Sequence, residues 1–409
     1  MRRALIGLTW LGLLLCGAAA LFVALATDDR PSIERSEAIS PEAIGQARLL
    51  FRAYDPRKQP PGKIQHVAVP AALLDEGTNY VANRYLRGRG ALVLRDNAAE
   101  IRLSIRLPGQ RYLNLTALAA QHDGRPRLLA FSAGQVLLPT ALAEWAVVRA
   151  ITLLGLEREW QMAGQALQDV VVDVPGQRLV ITYVWDPALL DRARSSAVAE
   201  ADVAHLRAAR QSLAALLAHR APGSQITLDD VLVPLLRESG DDTRRGRAVL
   251  LVLASELAHK DLGELVPAAR AWPRVRWVFI TLAGRHDLAQ HFVISAALAA
   301  WAGEPVADAI GLYKEIEDSR RGSGFSFVDL AADRAGTRLG ELLVRQPSML
   351  TERLRQNPRL LPDHDDLPEG LPEAEFLRRF DGPGSPRYQA LADAIEQRLD
   401  ALPLYRPQD

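Results

Sequence analysis

The chain has a single cysteine in 409 residues, Cys16. No disulfide can therefore brace it from within, and no cysteine-based zinc site can form. Lysine is almost missing too: Lys58, Lys63, Lys260 and Lys314 are the whole set, and every other cationic side chain outside histidine is an arginine. Neither sign of charge dominates, since 49 Lys+Arg face 49 Asp+Glu, and no basic field marks a nucleic-acid partner. There is no His-Glu-x-x-His, no Gly-x-Ser-x-Gly elbow and no nucleotide-binding glycine pattern. Long hydrophobic runs are scarce, with one exception at the start. Against these absences, 48% apolar and 24% charged residues are ordinary for a globular chain that buries a core. The length fits two or three domains at about 150 residues each.

The exception follows Arg2 and Arg3. An uncharged run opens at Ala4, closes at Ala26 and is followed by Asp28, Asp29 and Arg30. As a helix rising about 1.5 Å per residue it crosses a hydrocarbon core of about 30 Å. The basic flank stays in the cytoplasm and sends the rest outward, which for a bacterial chain is the periplasm. The spacing favours an uncleaved signal anchor in the inner membrane. The alternative is a cleaved secretory signal ending at Ala24-Leu25-Ala26, a small-x-small pattern. Leu14 and Leu15 before Cys16 do not make a lipidation box. No later stretch repeats the spanning pattern: the best rival, 277–303, is interrupted by Arg285, His286, Asp287 and His291, which are costly in lipid.

After this anchor (residues 1–27), a short helix opened by Ser40-Pro41 and a breaker-rich linker are expected over 28–62. Residues 63–186 read as an α+β domain with an antiparallel sheet and flanking helices. Ile101, Leu103 and Ile105 alternate with Arg102, Ser104 and Arg106 as a strand does, and Val170 to Val172 and Leu179 to Ile181 flank a Pro175-Gly176 turn. Helices are expected over 70–86 and 141–154. Residues 187–345 read as a mainly helical domain, and 346–409, rich in proline, as a tail of short helices wrapped over the body.

Ionisable residues and glycines gather beside apolar runs between Gly284 and Gly340. Asp287 and His291 are four apart and share a helix face, where the carboxylate would fix the imidazole tautomer; the plainer reading of His291 is a hydrogen-bonded core histidine. Lys314 and Asp318 are also four apart, a surface pair worth a few tenths of a kcal/mol. Asp329 follows Ser326 at capping-box spacing. Asp333 has no evident partner, and Gly336 and Gly340 leave room for a neighbouring helix. Gly322, Ser323 and Gly324, beside Arg320 and Arg321, suggest an anion site made of backbone amides. One histidine with several carboxylates suits general acid–base catalysis or a hard to borderline metal, but ligands scattered over three helices name no metal and no other cofactor.

Lys314-Glu315-x-x-Asp318 followed by Gly322-Ser323-Gly324-Phe325-Ser326-x-x-Asp329-Leu330-x-Ala332-Asp333-x-x-Gly336 resembles the motif of YfiM-like bacterial envelope lipoproteins. More remotely it is similar to VanZ-like membrane proteins, where a histidine, a glutamate and a final Asp-x-x-x-Asn/Asp-x-x-Gly recur in this order. The resemblance places His291, Glu315, Asp329, Asp333 and Gly336 at those positions and implies an envelope location more than a chemistry. Two functions are therefore expected. The first is a membrane-anchored, periplasm-facing protein that binds an envelope component, a lipid or a partner protein. The second is a hydrolase or transferase acting on lipid or cell-wall material through His291, Glu315 and Asp333, which then have to converge in space.

Overall fold

The computed structural model describes residues 21–35, 39–54, 62–95, 98–122, 125–153, 157–185, 200–303, 307, 310–311, 314–315, 318, 320 and 322–406. It divides into two compact units, Met1–Ala193 and Arg194–Asp409. Most of the expected membrane anchor, residues 4–20, lies outside the described residues. No described helix is long and apolar enough to cross a membrane.

The first unit is α+β, as the alternation of polar and apolar residues requires. Strands β1 (Thr27–Asp28), β3 (Gly88–Arg95), β4 (Ala98–Arg106), β5 (Tyr112–His122), β6 (Arg125–Ala133) and β7 (Val136–Leu138) form one antiparallel sheet. Its order is β3-β4-β5-β6-β7, with β1 on the end of β5. A second antiparallel sheet, ordered β2-β9-β8, joins β2 (Ile64–Pro70), β8 (Leu167–Asp173) and β9 (Arg178–Val184); β8 and β9 are the expected hairpin. Helix α1 (Pro41–Ala53) is capped by Ser40, whose side chain accepts from the Ala43 amide. Helix α2 (Ala71–Leu86) packs Ala71 and Leu74 against Leu92, Leu94 and Ala99. Helices α3 (Thr140–Leu153) and α4 (Glu157–Ala166) follow β7.

The residues after the anchor are less of a linker than expected. Thr27 and Asp28 pair with Leu113 and Tyr112. The Ser32 amide donates to the Oγ of buried Ser104 at 3.0 Å, and Arg35 pairs with Asp75 at 2.8 Å. Residues 27–35 are thus tied to the first unit by backbone and side-chain polar contacts.

The second unit is mainly helical: α5 (Glu200–Leu217), α6 (Leu228–Ser239), α7 (Thr243–Leu257), α8 (His286–Ala302), α9 (Phe327–Arg345), α10 (Pro347–Gln356), α11 (Glu373–Phe380) and α12 (Pro386–Ala401). Between α8 and α9 all the described residues from 307 to 320 are helical. A short parallel pair, β10 (Gln225–Thr227) with β11 (Phe279–Thr281), was not anticipated. The apolar faces of α5 to α9 make one core, with Leu206, Leu213, Leu232, Leu250, Leu288 and Phe292 fully buried. The proline-rich segment packs on the body as expected and goes deeper than a wrap: Leu354, Phe376, Tyr388 and Leu399 are buried in the same core. Phe376 stacks on Phe325 with ring centroids 4.0 Å apart, which holds the start of α9 in place.

Helices α8 and α9 meet backbone to backbone. A Cβ on Gly336 would overlap the Phe292 carbonyl oxygen, and one on Gly340 would overlap that of Ala296. The two glycines four residues apart therefore do leave the room expected of them, and no larger residue fits.

Candidate active site

His291 and Ser295 lie one turn apart on α8, and Asp329 and Asp333 one turn apart on α9, so the close crossing of the two helices faces these pairs toward each other. His291 Nδ1 is 3.1 Å from Asp333 Oδ1, and Ser295 Oγ donates to the same oxygen at 2.7 Å. Asp333 thus finds the partner that its sequence context left open. The other imidazole nitrogen, Nε2, is 3.5 Å from Asp329 Oδ2 and 3.1 Å from Lys314 Nζ. Glu315 completes the group from the helical stretch between α8 and α9. That stretch approaches α9 closely at Gly311, where a Cβ would stand 2.9 Å from Asp333 Oδ2. His291, Glu315, Asp329 and Asp333 are all buried, Glu315 completely.

The capping arrangement at α9 is divided between two acids. Ser326 Oγ accepts from the Asp329 amide at 3.0 Å, as the spacing suggested. The return bond to the Ser326 amide comes from Glu315 Oε2, at 2.9 Å. Asp329 is therefore free to turn its carboxylate to His291. Among the described residues, Glu315 Oε1 and Asp329 Oδ1 are buried with no hydrogen-bond partner. The nearest cations are Lys314 Nζ, 3.8 Å from Glu315 Oε1, and Arg285 Nη2, 3.5 Å from Asp329 Oδ1.

Three expectations need correction. Asp287 does not orient His291. It is held by Arg285, with contacts at 3.1 and 2.6 Å, because residue 287 sits in the first turn of α8 beside that guanidinium. His286 lies outside the group, its Nδ1 2.8 Å from the Ile280 carbonyl. The loop of Gly322, Ser323 and Gly324 does not offer an anion a nest, since the amides of Gly322 and Gly324 both donate to the Asp318 carbonyl, at 2.9 and 3.0 Å. Arg320 is paired with Glu373 at 2.7 Å, and Arg321 lies outside the described residues. The pair Lys314–Asp318 does form, at 2.7 Å, but its ammonium also reaches the imidazole. Sequence reasoning missed Ser295, although its place four residues after His291 puts it on the same face, and Arg285, whose partners Asp329 and Glu369 are distant in the chain.

Electrostatics follow from burying several acids around two basic groups. Burial alone would lower the His291 pKa, but the charge and hydrogen bond of Asp333 outweigh it, aided by Asp329, and push it up to about 9. Burial, with the charges of Asp329 and Asp333, pushes Glu315 up to about 8. Burial also raises Asp329, against the attraction of His291. All three groups bind protons more tightly folded than unfolded. Stability from Glu315 is complete below 4.5 and fades as pH rises through about 8; that from His291 is complete below 6.5 and fades through about 9. Thermal unfolding of the full chain in a chelating buffer should therefore show stability falling from pH 5 to pH 9, on the order of several kcal/mol. Glu315→Gln should flatten the lower part of that slope. A level or rising profile would contradict this account.

Three groups offer ligand atoms within 4.8 Å of one another: His291, Glu315 and Asp329. The arrangement as a whole holds an imidazole by one nitrogen and presents the other to two carboxylates and an ammonium. That is equipment for moving a proton or holding a cation. No family model, curated protein or solved structure matches the chain.

Proposed function

We propose that the protein is a membrane-anchored, periplasm-facing bacterial envelope hydrolase or transferase acting on lipid or cell-wall material. The observation that carries this reading is the convergence of His291, Glu315 and Asp333 from three separate segments, with the imidazole oriented at Nδ1 by Asp333. An imidazole so held can pass a proton through Nε2, and Glu315, whose pKa lies near 8, can serve as a partner acid at neutral pH. Lys314, half-exposed and in contact with Nε2, would face an incoming anionic group. A structural role alone does not call for two buried carboxylate oxygens without partners.

The membrane part of the reading rests on the apolar run and on the surface of the first unit. Residues 21–26 are helical, with Leu21, Phe22 and Val23 exposed. The Leu25 carbonyl accepts from the Gln135 amide at 2.9 Å, so this helix ends at the turn from which β7 leads into α3. Helix α3 and its successor leave Trp145, Val148, Leu153 and Trp160 exposed. Exposed tryptophans and aliphatics next to an anchor suit the interface of a bilayer.

The test uses the full chain in lipid nanodiscs, offered fluorogenic lipid esters and isolated cell-wall material. Turnover of one class is expected, falling by about 100-fold or more in His291→Ala and partly restored by added imidazole. Equal turnover by wild type and His291→Ala would end the catalytic reading. A reporter fused after Asp409 that works only in the cytoplasm would end the topological one.

A further inference from the structure

We propose that His291 Nε2, Glu315 and Asp329 bind a divalent first-row transition ion, zinc being the best match, in competition with the neighbouring Lys314 ammonium. The assignment rests on the hydrolytic reading above and changes the role of its imidazole, because an Nε2 bound to a metal no longer carries a proton and the bound water becomes the reacting group.

Four observations lead to it. First, the geometry is near that of a metal shell. Ligands bonded to zinc at about 2.0–2.2 Å lie about 3.4 Å apart in a tetrahedron, and His291 Nε2 and Asp329 Oδ2 are 3.5 Å apart. Glu315 offers a carboxylate oxygen within 4.8 Å of both. Second, Glu315 is fully buried with Oε1 unpartnered, and Asp329 Oδ1 is buried without a hydrogen bond as well. A buried carboxylate oxygen left this way carries a desolvation cost that a bound cation removes. Third, the outer support is in place: Asp333 takes the far nitrogen of His291, and Ser295 in turn holds Asp333. A carboxylate behind a metal-bound imidazole is the usual means of fixing its tautomer. Fourth, these groups already attract a cation. Lys314 Nζ is 3.1 Å from His291 Nε2, 3.8 Å from Glu315 Oε1 and 2.7 Å from Asp318 Oδ2. Its side chain is half-exposed, so it can swing out and leave the carboxylates behind.

The donor set narrows the ion. One imidazole and two carboxylates are too few oxygens for calcium, which takes six to eight, and there is no thiolate to select copper(I). Three protein ligands with a further position open is the pattern of catalytic zinc, which lowers the pKa of a bound water to about 7.

The experiment treats the full chain in detergent with a chelator, then dialyses it against Zn2+, Mn2+, Mg2+ or Ca2+ alone, reading metal content and melting temperature. One zinc per chain is expected, with manganese weaker and magnesium and calcium failing to load. Asp333→Asn should weaken zinc by about 10- to 100-fold, His291→Ala with Asp329→Asn should abolish it, and Lys314→Met should tighten it. The lysine variant alters a half-exposed side chain and keeps its stem, so it keeps the test open should the buried variants misfold. Absence of stoichiometric zinc from both wild type and Lys314→Met would overturn the proposal, as would calcium or magnesium loading in preference to zinc. Zinc that survives the double substitution would overturn it too. Zinc binding without turnover of any envelope substrate supports the ion site and removes the hydrolytic reading; His291-dependent turnover by a chain that takes no zinc does the reverse.

Discussion

Gly336→Val should destabilise the protein by about 3 kcal/mol or more and disable the site at the same time. The reason lies in the backbone of α8. Gly336 faces the Phe292 carbonyl so closely that even a methyl group would overlap it. A branched side chain must therefore push the helix axes apart, since the carbonyl cannot rotate out of its own helix. His291 is the residue before Phe292, and Asp333 precedes Gly336 by three, so the displacement falls on the 3.1 Å contact between them. Chemical unfolding of the full chain measures the stability, and the pKa of His291 by NMR measures the contact. Gly77→Ala is the control. Gly77 also lies inside a helix, but a Cβ there meets nothing within 4 Å, and the change should stabilise by about 0.5–1 kcal/mol. If Gly336→Val unfolds at the wild-type midpoint, the tight crossing of α8 and α9 is wrong.

Asp333→Ala should cost about 3–5 kcal/mol, the penalty for stranding one member of a buried charged pair. It removes the acceptor for both His291 and Ser295. What remains is an imidazole whose environment, burial foremost, disfavours its charge, with the Lys314 ammonium adding repulsion. Its pKa should accordingly fall from about 9 to its ordinary 6.5 or below. The pair His291→Leu with Asp333→Leu should recover part of the lost stability, because neither member of the pair is then stranded, while Asp329 and Ser295 still lose their partners. Asp333→Asn separates charge from geometry: it keeps a hydrogen-bonding oxygen but should still lower the His291 pKa. Full stability in Asp333→Ala, or a His291 pKa that stays near 9 without the carboxylate, would show that the buried pair does not govern this site.

Much of the local structure was legible in advance. The alternation over Ile101 to Arg106 and the Pro175-Gly176 hairpin both follow from side-chain periodicity, and both form. Gly336 and Gly340 were legible because glycine at four-residue spacing on a helix has few other uses. What could not be read was pairing across the chain. His291 has a carboxylate four residues before it, and local spacing assigns it Asp287; the carboxylate that holds it, Asp333, is 42 residues away. Local spacing likewise gives the capping box at Ser326 to Asp329, whereas Glu315 makes the return bond from 11 residues upstream. Asp287 was lost to Arg285, a nearer and permanently charged partner. The proline count gave short helices wrapped over the body after residue 345, and it gave no more than that. Proline ends helices without saying whether the short helices between are buried, and Phe376, Tyr388 and Leu399 belong to the core.

The first unit begins without slack. Ala26 and Thr27 are nearly inaccessible, 3% and 8% exposed, and Thr27 enters the sheet beside Leu113. With the apolar run in the bilayer, the sheet would ride directly on the lipid headgroups with no tether to let it wander. A leader peptidase needs the bond after Ala26 extended in its groove, so it could cut only before this strand is laid down. Removing the run afterwards would leave a new amino terminus trapped inside folded protein. Maturation, if it occurs there, is a race against folding.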